Sequence, residues 1–141
     1  MRHFRYFLRQ NIILLWAPVV CFYGLIFYLS SQPPESLNIP HLFEGFDKLL
    51  HFFEFGMLGL FVMRSVIWER YYHHWSKRSW LYTLLLIGVL ALGDEYHQSF
   101  VPGREVSFWD WLADIGGGII AIVGGRLLYR KHVQRVSALK T

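Results

Sequence analysis

The sequence predicts an all-α protein, a four-helix transmembrane bundle with both termini cytoplasmic. Three observations lead there. Of the 141 residues, 54% are apolar and 18% aromatic, and only 17% are charged, below the roughly 25% usual in soluble domains. Four apolar runs follow one another, divided by segments rich in Pro, Gly or charge. The basic residues gather in the divisions and not along one face, which is a membrane-topology pattern and argues against a nucleic-acid partner. One domain fills the chain: a basic N-terminus over 1–11, a membrane domain over 12–128 and a basic tail over 129–141.

The first run, IILLWAPVVCFYGLIFYLSS, spans Ile12 to Ser31, about the 20 residues that a bilayer core requires. Pro18 is tolerated in such a helix. The run is too long for the apolar part of a signal peptide and no small-x-small site follows cleanly, so it is read as a retained helix. Cys21 lies inside it as a small packing residue. Gln32 to Phe46 is a loop, with three prolines, an Asn and a Gly, and a short amphipathic turn expected around Leu42 to Phe46. The second run covers about Asp47 to Ile67. A loop with an aromatic belt (Trp68, Tyr71, Tyr72, Trp75, Trp80) follows, and His73 and His74 read there as wet interfacial residues. The third run goes from about Trp80 to Gln98. Pro102-Gly103 then makes a turn, and the fourth run covers about Trp109 to Leu128.

With four spans, the two termini and the middle loop share one side. That side carries twelve of the fourteen Lys and Arg, and Lys48 and Arg104 fall on the other. The positive-inside rule puts the basic side in the cytoplasm. All the acids except Glu69 lie toward the outside.

Helix rise, about 1.5 Å per residue, converts position into depth. Asp94 is about 21 Å from Trp80; Glu54, His51 and Asp47 are about 15, 20 and 26 Å from Arg64; Asp114 and Asp110 are about 18 and 24 Å from Arg126. Three helices therefore carry their polar residues in the same outer third of the bilayer. Spacing agrees. Asp47, His51 and Glu54 share a helix face, as do Asp94 and Gln98, and Asp110 and Asp114. Ser30 and Ser31 close the first helix at a similar height. A charged side chain at a helix centre costs about 2.5–3.5 kcal/mol on insertion scales, so the expected solution is an inward polar pocket open to the outside. Arg104 would fold over it, and Lys48 would lean in or snorkel outward. Gly117, Ala121, Gly124 and Gly125, with Gly56 and Gly59, have the small-residue spacing of close helix contacts. Gly116 to Gly118 is no phosphate loop, because no strand and no Lys-Ser/Thr accompany it.

Three blocks, DKLLHFFEFG (Asp47 to Gly56), DEYHQSFVPGR (Asp94 to Arg104) and DWLADIGG (Asp110 to Gly117), resemble the VanZ-like family of small bacterial four-helix membrane proteins, named for a teicoplanin resistance determinant. The resemblance covers roughly Tyr28 to Gly125. It implies envelope biology and glycopeptide tolerance. By matching position it implies site residues Asp47, Lys48, His51, Glu54, Asp94, Glu95, Gln98, Arg104 and Asp110. Two departures stand out: Asp114 where the family usually carries Asn, and Phe55 where Tyr is frequent.

Several functions remain open on these residues. In the first, Asp47, Lys48, Glu54, Gln98, Arg104, Asp110 and Asp114 line a pocket for an anionic lipid headgroup or cell-wall precursor, since the planar Arg fork pairs with phosphate oxygens two at a time. In the second, the protein is a membrane-embedded hydrolase or transferase acting on an envelope lipid or lipid-linked precursor. His51, Asp94 and Glu95 are then its acid-base candidates, or His51 and carboxylates hold a divalent ion. In the third, the polar cluster only joins the helices; a transporter is a further possibility, for which four helices are few unless subunits associate. No nucleophile-base pair, HExxH or phosphatase motif is present, and spacing alone assigns no metal ligand and no cofactor. The expected partner is the bilayer itself, and the number of subunits stays open.

Overall fold

The computed structural model describes residues 12–37, 43, 45–70 and 79–138. Among these residues there are four α-helices and no strand: α1 (Ile12–Ser30), α2 (Phe46–Arg70), α3 (Ser79–Gln98) and α4 (Phe108–Ala138), with a 3-10 turn at Pro34–Leu37. Three of them are long and apolar enough to cross a membrane, over Ile13–Ser30, Phe46–Val66 and Phe108–Leu128. The third helix is outside that set. Its apolar stretch ends at Leu92-Gly93, and Asp94, Glu95, His97 and Gln98 occupy its last turns. Thus the expected third span is present as a helix, but its polar end leaves it less apolar than the other three.

Punctuation in the sequence explains most boundaries. Pro33 and Pro34 lie just past α1, and proline cannot continue a helical ladder. Within α1, Pro18 leaves the Leu14 carbonyl without its helical donor. One residue on, the Leu15 carbonyl accepts from Ser65 Oγ of α2 at 2.8 Å and from Arg64 Nη1 at 3.4 Å. Gly45 has φ 85°, so the chain turns through the left-handed region just before α2. Asp47 then sits in the first turn of α2, where a carboxylate suits the positive end of the helix dipole. Ser107 caps α4, its Oγ 3.4 Å from the Asp110 nitrogen.

Two boundaries differ from the sequence expectation. Helix α4 continues to Ala138 instead of stopping near Leu128. Nothing after Gly125 breaks it, and Arg, Lys, Gln and Leu are good helix formers whose cations favour a helix C-terminus. Trp68, Glu69 and Arg70 belong to α2 and not to a loop. The expected turn at Leu42 to Phe46 falls partly outside the described residues, and Phe46 already opens α2. Tyr71, Tyr72, His73, His74 and Trp75 also lie outside them.

The α2–α4 pair forms the most extensive helix contact; α3 packs on both, and α1 packs on α2 and α3. Glycine makes the α2–α4 approach possible. A Cβ on Gly117 would run into the Phe52 carbonyl, one on Gly59 would come 2.9 Å from the Ala121 Cβ, and one on Gly118 would come 2.9 Å from Ile87 Cγ2 of α3. Gly125 meets Met63, whereas Gly124 faces nothing within 4 Å and takes no part in the close contact. Phe55, Leu58, Val62, Val66, Ile87, Ala91, Val19 and Ile26 form the apolar core. Outside it the bundle is apolar too. Ile13, Val20, Leu85, Val89, Ile120 and Leu128 are all exposed, which suits a surface covered by lipid and not by water.

Candidate functional site

The exterior is apolar, and the buried ionisable side chains collect at one end of the interior, whereas the buried hydroxyls of Ser65, Ser79 and Thr83 lie away from it. That end is made by the C-terminal turns of α1 and α3 and the N-terminal turns of α2 and α4, as an up-and-down bundle with short connections requires. Asp94 and Asp114 are 0% exposed, Gln98 3% and Glu95 5%. Each is tied to another helix or to its own next turn.

Asp94 Oδ2 accepts from Ser30 Oγ of α1 at 2.9 Å and from Gln98 Nε2 at 2.9 Å. The second bond realises the four-residue spacing of Asp94 and Gln98. His51 Nδ1 of α2 lies 3.1 Å from Asp114 Oδ1 of α4. Glu95 Oε2 accepts from the Ser107 backbone N–H at 2.9 Å, which ties the end of α3 to the start of α4. Lys48 Nζ bridges Asp47 Oδ2 at 2.7 Å and Asp110 Oδ1 at 2.9 Å, joining α2 to α4.

A cavity of about 340 Å³ sits at this end. Among the sequence-predicted residues it is lined by Asp47, His51, Glu54, Gln98 and Arg104; Ser30, Leu29, Pro34, Phe46 and Leu50 complete the wall. Asp94, Glu95, Asp110 and Asp114 are buried behind the wall and not on it. Lys48 borders a separate shallow groove with Trp109 and Leu112. Asp47 is at the rim, its side chain 58% exposed.

Arg104 differs in detail from the expected lid. It does line the cavity, but its Nε donates to the Gln32 carbonyl and its Nη2 to the Leu29 carbonyl, both at 3.2 Å. It therefore satisfies carbonyls at the C-terminal end of α1, where a cation also suits the dipole. Two of its five N–H donors are used this way, and the others have no partner among the described residues. Lys48 likewise neither reaches into the cavity nor snorkels alone, because two carboxylates hold it.

Several contributors went unread in the sequence. His97 of α3 stacks on Phe27 of α1 with ring centroids 3.8 Å apart, and its Nε2 is 2.8 Å from Ser31 Oγ. Tyr23 donates its hydroxyl to the Leu90 carbonyl at 3.0 Å. The Ser107–Asp110 spacing is a capping signal, and it marks the start of α4. Nothing local predicts that Glu95, twelve residues earlier, would take the Ser107 N–H.

After these pairings, Asp94 Oδ1, Glu95 Oε1 and Asp114 Oδ2 are buried without a hydrogen-bond partner among the described residues. Native proteins rarely leave such atoms unsatisfied away from functional sites. One donor atom from each of His51, Glu95 and Asp114 falls within 4.8 Å of the other two. Carboxylates outnumber cations here: Asp47, Glu54, Asp94, Glu95, Asp110 and Asp114 face Lys48, Arg104 and the titratable His51.

Polar side chains buried at one end of an apolar helical bundle define a class, a small membrane protein with a polar centre set among its helices. A family model described as VanZ/LLP1 matches residues 14–129, and the chain belongs to that family. The match reaches beyond the Tyr28 to Gly125 stretch on which the sequence resemblance rests. Comparison with curated proteins and with solved structures gave no match.

Proposed function

We propose that this protein is a multi-pass protein of the cytoplasmic membrane, both termini in the cytoplasm, that binds an anionic lipid headgroup or cell-wall precursor at the outer end of its bundle. Through that ligand it influences envelope properties or glycopeptide tolerance. The observation that carries the reading is the cavity of about 340 Å³, whose wall holds Arg104, Gln98, His51 and Ser30 beside Asp47 and Glu54 inside a bundle with an apolar exterior. Arg104 and Gln98 supply N–H donors and Ser30 a hydroxyl, the groups that recognise phosphate oxygens. The apolar wall residues Leu29, Phe46 and Leu50 suit the first carbons of an acyl or prenyl chain. The orientation rests on the distribution of Lys and Arg.

The test uses purified full chain and two probes, phosphatidylglycerol and a polyprenyl phosphate, with phosphatidylcholine as the comparison. Native mass spectrometry should retain either phosphate lipid over phosphatidylcholine, and Arg104→Gln should lose that preference. Equal retention of all three lipids would end the headgroup reading.

One observation favours a second reading, a membrane-embedded hydrolase or transferase. His51 and Asp114 form a buried imidazole–carboxylate pair at 3.1 Å, and His51 also lines the cavity. A carboxylate that orients a histidine is the arrangement of a general base. Turnover of a polyprenyl phosphate or diphosphate by the purified protein, lost in His51→Gln, would select this reading.

A further inference from the structure

The carboxylates behind the cavity wall have no function in headgroup recognition as described above. They would repel an anionic ligand. Three of them, Asp94, Glu95 and Asp114, end in a buried oxygen that nothing in the described structure satisfies. We propose that His51, Glu95 and Asp114 form a binding site for one divalent transition-metal cation, zinc or manganese.

Four features converge. The three residues come from three helices, α2, α3 and α4, and each brings a donor atom within 4.8 Å of the other two. All three are buried, with exposures of 9% for His51, 5% for Glu95 and 0% for Asp114. Each carboxylate is held through one oxygen and has the other unpartnered: Glu95 Oε2 on the Ser107 N–H with Oε1 orphaned, and Asp114 Oδ1 beside His51 with Oδ2 orphaned. That division, one oxygen oriented and one vacant, is how carboxylate ligands are presented to metals. Finally, the donor set is one imidazole and two carboxylates. The imidazole nitrogen suits zinc and the two carboxylates suit zinc or manganese, whereas magnesium and calcium prefer oxygen alone.

The spacing allows it. Zinc bonds of about 2.0–2.2 Å place ligand atoms about 3.3–3.5 Å apart in a tetrahedron. Donor atoms that lie within 4.8 Å of one another reach that spacing by side-chain displacements of about an ångström. A dication also offsets two buried carboxylate charges, which are otherwise costly in a low-dielectric interior.

Three protein ligands leave a fourth position, as in catalytic zinc sites. His51 belongs both to this cluster and to the cavity wall. A phosphate oxygen in the cavity is the natural fourth ligand, and the metal then supplies the positive charge that Arg104 alone does not. That last link rests on the headgroup reading; metal binding itself does not.

The experiment uses the full chain, purified in detergent without a polyhistidine tag and stripped with a chelator. Zn2+ and Mn2+ are added alone, without lipid, and bound metal is measured by isothermal titration and by elemental analysis after desalting. The expected result is one ion per chain for at least one of the two, a rise in melting temperature on loading, and no binding of Mg2+ at the same concentration. Glu95→Gln and Asp114→Asn should each weaken binding at least tenfold, and Glu105→Gln, an exposed acid past the turn, should leave it unchanged. Should a variant fail to fold, the wild-type stoichiometry and the metal-dependent melting shift decide alone. Less than half an ion per chain, or variants that bind like the wild type, would overturn the site. Metal bound at full stoichiometry with no preference for phosphate lipids would keep the site and remove the headgroup.

Discussion

The middle of the α2–α4 interface and the polar end of the bundle are built on opposite principles. At the interface, Gly56, Gly59, Gly117 and Gly118 bring backbones together and leave no polar side chain between them. A turn or so away, around His51 and Asp114, carboxylates are buried with oxygens unsatisfied. The first arrangement maximises packing in a solvent that offers no hydrophobic drive between helices. The second sacrifices packing and hydrogen bonding. A region that departs from the packing rules used a few residues away is where function is expected.

The contrast gives predictions of graded size. The largest effect belongs to the interface. Gly117→Val puts a side chain into the Phe52 carbonyl, and overpacking of this kind costs about 1–3 kcal/mol or more. The folded protein recovered from membranes should fall severalfold, read by detergent size-exclusion profile, whereas normal recovery would show that α2 and α4 are not in such close contact. Next comes the polar end, where Arg104→Gln should lower affinity for phosphatidylglycerol about tenfold, since a charge-assisted hydrogen bond contributes about 1.5–3 kcal/mol. Recovery should fall little, because the Leu29 and Gln32 carbonyls keep a possible amide donor. A smaller effect is expected from Lys48→Met, which removes a bridge between Asp47 and Asp110 whose lysine is 39% exposed. An exposed pair contributes about 0.2–1 kcal/mol, but the Asp110 side chain left behind is only 9% exposed and loses its counter-charge, so the melting temperature should fall by several degrees. The smallest belongs to Gly124→Ala. No atom lies within 4 Å of the added methyl, and helix propensity favours alanine by about 1 kcal/mol, so thermal stability should stay level or rise slightly.

Much of this was legible in the sequence because helix geometry is regular. The separations of Asp47, His51 and Glu54, of Asp94 and Gln98, and of Asp110 and Asp114 set face and height before any contact is known. The glycine pattern on α4 named its own close contact, except at Gly124. What stayed illegible depends on side-chain reach and on pairing between distant segments. Lys48 choosing Asp110, Arg104 turning to the carbonyls of α1, Glu95 taking the Ser107 N–H and His97 stacking on Phe27 all join residues at least twelve positions apart. No local spacing encodes such partners. The extension of α4 to Ala138 was hidden for another reason: hydropathy marks where a helix leaves lipid, not where it ends.

On the proposed reading the buried acids serve to bind and not to hold helices together. The melting temperature of the metal-free Glu95→Gln/Asp114→Asn double variant, set against metal-free wild type in the same detergent, tests it most directly. Both substitutions keep shape and remove buried charge, so the expected melting temperature is equal to or above that of wild type, with zinc or manganese no longer raising it. A drop of several degrees in the metal-free variant would mean that these carboxylates tie the helices together, and the claim that they are there only to bind would have to be given up.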